Sequence, residues 1–145
     1  MAILVKTEIS INARPDKIWT ILTDFDNYPK WNPFVTSLKG DVKVGNKITV
    51  RIEPPEASVN TFKPTVTAFE TNKKLSWLGV LLMKGIFDGE HKFELTDNGN
   101  GTTTLVQSEN FIGLLVPLFK KQLNDNTRRG FEAMNKKLKE LAEQK

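Results

Sequence analysis

The chain has 145 residues, with 21 lysines and arginines against 17 acids, one histidine and no cysteine. That inventory excludes thiol nucleophiles, thiolate metal sites, disulfides and multi-histidine metal centres, and neither a metal nor a cofactor is expected. Acid–base chemistry is left to carboxylates, lysines and His91.

At this length one domain, spanning 1–145, removes roughly 70% of its unfolded surface from water and needs no staple. Residues 1–116 hold 13 basic and 13 acidic side chains and residues 117–145 hold eight and four, so the whole excess of 21 − 17 = +4 lies in the last segment. There the bases alternate with acids, as on an ordinary solvated helix face. The longest apolar stretches, Trp77 to Met83 and Phe111 to Phe119, fall far short of the ~20 residues that span a bilayer, which leaves at most a transient membrane contact. No basic leader precedes Ile3-Leu4-Val5, and a cytoplasmic location is expected.

From Ile3 to Ala13 the odd positions are mostly apolar and the even ones polar, the period of a strand with one wet face. Pro15 opens a short helix whose buried stripe is Ile18, Trp19, Leu22 and Phe25, and Asp26 caps a second short turn that ends near Trp31, before Pro33. Six strands are then expected: Val35 to Lys39, Lys47 to Glu53, Thr61 to Phe69, Lys74 to Leu82, Phe87 to Thr96 and Thr102 to Ile112. The turns between them, above all Asp97-Asn98-Gly99-Asn100-Gly101, are short and make neighbours antiparallel. One long helix starts near Pro117, with Phe119, Leu123, Thr127, Gly130, Phe131, Met134, Leu138 and Leu141 on a single face. The expected fold is α+β: a curved antiparallel sheet of seven strands, with two short helices after the first, gripping the C-terminal helix.

Strand parity points to a site. Between Phe87 and Thr96 the odd positions are Phe87, Gly89, His91, Phe93 and Leu95, so the sole histidine points inward. On the next strand Leu105 and Phe111 nominate the odd positions, which carries Gln107 and Glu109 in as well, whereas Val106 and Ile112 argue for the even ones. The five-residue turn sets His91 opposite one of these two and diagonal to the other, within about 8 Å. Either the three satisfy one another in a filled core, or they line a cavity and orient the polar end of an apolar guest. Thr127 and Gly130 interrupt the helix's apolar stripe with small residues that leave room for such a guest.

The stretches Pro15-Asp16-Lys17-Ile18-Trp19, Asn27-Tyr28-Pro29-Lys30-Trp31-Asn32-Pro33, Gly85-Ile86-Phe87-Asp88-Gly89-Glu90-His91, Glu109-Asn110-Phe111-Ile112-Gly113 and Gly130-Phe131-Glu132-Ala133-Met134 resemble the START-like (SRPBCC) superfamily. More narrowly they resemble its polyketide cyclase/dehydrase and lipid-transport branch. The likeness runs nearly end to end. It implies a helix-grip fold with a deep apolar cavity between sheet and C-terminal helix. Members bind lipids, sterols, quinones or polyketides, and some catalyse cyclisation or dehydration; no shared catalytic set is carried over.

Three functions follow as expectations. The first is binding or carriage of a small hydrophobic molecule such as a lipid, isoprenoid or aromatic polyketide. Trp77, Phe87, Phe111, Leu123 and Met134 would form the wall and Trp31, beside the Asn32-Pro33 bend, would anchor a lid over the site, with His91, Gln107, Glu109 and Thr127 orienting the guest. The second is a cyclase or dehydratase with His91 and Glu109 as an acid–base pair. The third is a protein-interaction module using Leu81-Leu82-Met83 or the basic helix face. Nucleic-acid binding is not expected, because clustered bases interleaved with surface aromatics are missing.

Overall fold

The computed structural model describes residues 2–81 and 83–144, which leaves Leu82 of the expected apolar loop outside the described residues. Strand β1 (Ala2–Ile11) is followed by helix α1 (Pro15–Leu22), a 3₁₀ turn (Phe25–Asn27) and helix α2 (Tyr28–Trp31). Strands β2 (Val35–Lys39), β3 (Thr49–Ile52), β4 (Asn60–Phe62), β5 (Thr65–Glu70), β6 (Lys74–Leu81), β7 (Phe87–Asp97) and β8 (Thr103–Ile112) come next. Pro15 starts α1 at its first turn, where a missing N–H costs nothing, and Ile18, Trp19 and Leu22 are buried as expected. Tyr28 is fully enclosed; burial, and then the negative charge of Asp24, push its phenol well above the usual range, and its O–H donates to the Leu22 carbonyl.

The expected single sheet of seven strands is corrected to a five-stranded sheet, ordered β1-β8-β7-β6-β5, and a three-stranded sheet, ordered β2-β3-β4. The extra strand arises within the run expected from Thr61 to Phe69. Asn60–Phe62 pairs with β3, Thr65–Glu70 pairs with β6, and Pro64 lies between them. A proline has no N–H for the ladder, so regular pairing stops there. The two halves nonetheless share a register. Lys47 bridges Thr65 as Val50 pairs Phe62, and Ile48 N–H donates to the Pro64 carbonyl at 3.0 Å.

The helix expected to run unbroken from Pro117 is also corrected. The chain passes through a 3₁₀ turn (Val116–Phe119), helix α3 (Lys120–Gln122), a π turn (Leu123–Thr127) and helix α4 (Arg128–Ala142). A π turn inserts a residue into the helical count and rotates the faces on either side of it. Leu123, Thr127, Phe131, Met134 and Leu138 therefore face the core, but Phe119, one turn earlier, lies 41% exposed.

β1 is an edge strand of the larger sheet, and α4 covers it with charged side chains. Arg128 Nη1 donates to the Lys6 carbonyl at 2.7 Å, Lys139 Nζ to the Ser10 carbonyl at 2.8 Å, and Glu143 accepts from Asn12 N–H at 2.7 Å. The Lys139 ammonium first, and then the Asn12 N–H, hold the Glu143 carboxyl below its ordinary range. These contacts satisfy backbone groups that an open edge would present to other chains.

The bend leading into β2 is built by Asn32. Its Oδ1 accepts from Phe34 N–H at 3.0 Å and Val35 N–H at 2.9 Å, and its Nδ2 lies 3.4 Å from Met134 Sδ on α4. Because both N–H groups are buried, Asn32→Ala is expected to destabilise the protein by about 2–4 kcal/mol. Urea unfolding followed by circular dichroism measures this.

Candidate functional site

The inner face of the larger sheet carries three adjacent rows. Trp77, His91, Glu109 and Val5 lie side by side across β6, β7, β8 and β1. Leu75, Phe93, Gln107 and Thr7 form the next row toward one end, and Gly79, Gly89, Phe111 and Ile3 the next toward the other. His91 is thus opposite Glu109 and diagonal to Gln107, one of the two arrangements the turn length allowed.

These polar residues form one chain of hydrogen bonds, and its direction can be read from one end. The Gln107 carbonyl can only accept, so the Thr7 hydroxyl donates to it, at 2.9 Å. Thr7 Oγ1 then accepts from Asn135 Nδ2 of α4 at 2.9 Å, which turns Asn135 Oδ1 toward Gln107 Nε2, 2.7 Å away. The same Gln107 amide group donates to the Phe131 carbonyl at 3.4 Å. Its Oε1 is left to accept from His91 Nε2 at 2.9 Å, so that nitrogen carries a proton. His91 Nδ1 lies 3.1 Å from Glu109 Oε1, and a bare nitrogen and a carboxylate cannot form a hydrogen bond without a proton between them. The histidine and the glutamate therefore share one.

Aromatic rings enclose the imidazole. Trp77 stacks on it at 5.1 Å and 17°, and the rings of Phe93, Phe131 and Phe34 stand 4.7, 4.8 and 6.3 Å away. The histidine itself is 3% exposed. The room expected from Gly130 is taken up: a Cβ there would lie 2.4 Å from Phe34 Cδ1, so the ring of Phe34 occupies the missing side chain's place. A second glycine is used in the same way. A Cβ on Gly89 would stand 2.3 Å from Glu109 Oε2 and 3.3 Å from Phe111 Cδ1, so the carboxylate leans over Gly89 toward Phe111. Oε2 receives no hydrogen bond among the described residues, and the Glu109 side chain keeps 15% of its surface exposed.

The remaining expected wall residues are spread more widely. Phe87 and Phe111 meet edge to face at 5.9 Å, beyond Glu109, and Phe87 meets Phe119 at 5.5 Å. Leu123 and Thr127 are buried on the π turn, and Met134 sits against Asn32. Trp31 packs edge to face on Tyr28, 5.4 Å away, within the short-helix segment. Two clefts lie on the outside, one of about 340 Å³ between β1 and α4 and one of about 500 Å³ between residues 56–58 and the helical segment 118–126. Neither is lined by His91, Gln107 or Glu109.

Thr7, Asn135 and Phe34 complete the site beyond the candidate residues, together with Gly89, already on the inward parity of β7. Thr7 lies on the inward parity of β1, and Asn135 stands one turn after Phe131 on the buried face of α4; those positions were the available signals. Among the described residues no group of three or more potential metal ligands comes together.

An antiparallel sheet closed by a long C-terminal helix, with short helices after the first strand, defines an α+β helix-grip protein. The chain belongs to the family described as polyketide cyclase / dehydrase and lipid transport, whose model matches residues 2–143. Among solved structures, the fold is similar to the ZhuI aromatase/cyclase from Streptomyces sp. R1128 (13% identity, 99% of this chain and 94% of that one, TM-score 0.78). It is also similar to a START superfamily protein from Mycobacterium smegmatis (20%, 97% and 97%, TM-score 0.72) and to norcoclaurine synthase from Thalictrum flavum (16%, 98% and 94%, TM-score 0.72). At these identities the likeness is one of fold. No curated protein sequence matches the chain.

Gln107→Leu removes the group that links His91 to Asn135 and leaves His91 Nε2 and Asn135 Oδ1 without a partner. It is expected to cost about 2–5 kcal/mol in urea unfolding. In the unaltered protein, nitrogen-detected NMR of the single histidine is expected to show Nε2 protonated; a bare Nε2 contradicts the hydrogen-bond direction derived above.

Proposed function

We propose that the protein binds a small, mostly apolar molecule between the sheet and the C-terminal helix, with the guest's O–H or N–H donated to Glu109. One observation carries this reading. Along a chain of buried polar groups that otherwise satisfy each other, Glu109 keeps an oxygen that receives no hydrogen bond among the described residues, and that oxygen lies beside Phe111 over Gly89 on the inner surface of the sheet. Apolar walls supply affinity and a few placed polar atoms supply orientation, the usual division of labour in a small-molecule site. Family membership supports the same class of guest. The class spans lipids, isoprenoids and aromatic polyketides.

His91 orients Glu109 rather than touching the guest, since Nε2 is held by Gln107 and aromatic rings enclose the imidazole. Phe34, seated on Gly130, is the side chain whose displacement would enlarge the interior. The aromatase/cyclase and the norcoclaurine synthase of the same fold bear on a second reading, in which the proton shared by Glu109 and His91 is passed to or from a bound carbonyl compound.

Native mass spectrometry of freshly purified protein is expected to show a bound small molecule, released into organic solvent. Glu109→Gln removes the charge while keeping the shape, and is expected to weaken that molecule's binding about tenfold or more, as for a hydrogen bond to a charged group. A guest bound equally well by the variant contradicts the assignment of Glu109. A guest returned chemically altered shifts the reading from carriage to catalysis.

A further inference from the structure

The end of the molecule where β6 turns into β7 exposes an unusual amount of apolar side chain. Leu81 is 56% exposed, Met83 65%, Leu114 79% and Leu118 77%. They come from two segments that the backbone joins. Leu114 N–H donates to the Gly85 carbonyl and Leu115 N–H to the Ile86 carbonyl, each at 3.0 Å. Gly113 makes this approach possible, because it has φ +145° and a Cβ there would lie 2.3 Å from the Ile86 oxygen. Phe119 ties the same two segments from the side, through its ring contact with Phe87. The tip is thus a built feature with its apolar groups turned outward.

Its flanking charge is mostly basic. Lys84 follows Met83, and Lys120 and Lys121 follow Leu118 and Phe119; all three are exposed. Two of the nearby acids are occupied: Asp88 Oδ2 accepts from Gly85 N–H at 3.0 Å and Glu56 pairs with Arg129 at 3.0 Å, while Asp125, four residues after Lys121, lines the outer cleft beside Leu118 and Lys121. A second copy of the same surface would bring lysines against lysines, which argues against self-association. Protruding leucines and a methionine beside lysines match instead the boundary of a lipid bilayer. There the apolar side chains enter the acyl region and the ammonium groups meet anionic headgroups.

We propose that this tip, formed by Leu81, Met83, Leu114 and Leu118 and flanked by Lys84, Lys120 and Lys121, docks reversibly on an anionic membrane surface. The docking is peripheral, since no helix of the described residues is long and apolar enough to cross a membrane. It stands independently of the guest-binding reading, because every residue it uses is outside the polar site.

Co-sedimentation of the full chain with vesicles tests it, using phosphatidylcholine alone and phosphatidylcholine with 30 mol% phosphatidylglycerol, at low and high salt. Binding to the anionic vesicles, reduced by salt and largely absent with the neutral ones, is expected. Lys120→Glu/Lys121→Glu is expected to weaken it at least twentyfold, from about fivefold for each lysine removed. Leu114→Asp/Leu118→Asp is expected to weaken it tenfold or more, and both variants alter exposed side chains and keep the circular dichroism and urea midpoint of the parent. Failure to sediment with either vesicle overturns the proposal, and is the result an acidic protein partner would give. So does sedimentation that neither variant changes. Self-association on gel filtration that the leucine variant abolishes would assign the tip to a second copy.

Discussion

The bond from the Thr7 hydroxyl to the Gln107 carbonyl sets the direction of the side-chain hydrogen bonds that run from β1 through α4 to Glu109. A backbone carbonyl has no proton to give, so one contact between neighbouring strands propagates through Asn135, Gln107 and His91 until it reaches Glu109. A buried amide turned the wrong way would leave donor against donor, at the cost of an unmade hydrogen bond in an apolar setting. The chain also crosses from β1 and β8 to α4, so it specifies how the helix sits on the sheet as well as which atom of Glu109 remains free. Packing alone would not give this specification, because apolar contacts have no direction.

Space in the interior is managed by exchange between elements. Gly130 gives up a side chain on α4 and Phe34 fills it from the bend before β2; Gly79 gives one up on β6 and Phe62 of β4 lies against it. Gly89 does the same on β7, and there the filler is the Glu109 carboxylate. In the first two cases an aromatic ring from outside the five-stranded sheet completes the packing, which keeps the density normal to protein interiors. In the third a carboxyl group does so, and only a hydrogen-bonding partner makes this tolerable. His91 is that partner, which is why the histidine and the glycine belong to one arrangement.

Much of the fold is legible in the sequence because strand parity and turn chemistry are local. The odd positions of β7 and β8 point inward as their apolar members require, and the Asp97 to Gly101 turn sets His91 against Glu109. Two features escape local reading. The strand run containing Pro64 keeps one register on both sides of the proline, so its division between two sheets depends on neighbours distant in sequence. The π turn at Leu123–Thr127 breaks a pattern that a constant 100° per residue describes well on its C-terminal side, and Phe119 is displaced to the surface as a result. Within the site, Asn135 and Thr7 stand at inward positions, but their polar side chains do not reveal a role until the partners that satisfy them are known. Gly130 reads as empty space because the ring that fills it lies nearly a hundred positions away in the chain.

The free Glu109 oxygen and the exposed tip stand at opposite ends of one aromatic series. Phe111 touches the space over Gly89 into which the carboxylate leans, Phe87 meets Phe111, and Phe119 meets Phe87 beside the outward leucines. Between an unpaired acceptor and the surface there is therefore a run of rings in edge-to-face contact. Such contacts are individually weak, about 1 kcal/mol beyond the burial itself. The Gln107 and Asn135 end, by contrast, is held by hydrogen bonds to the helix that must all break together. Local opening favours the part of a structure with the fewest such bonds, so the Phe87, Phe111 and Phe119 end is where the interior is expected to yield first.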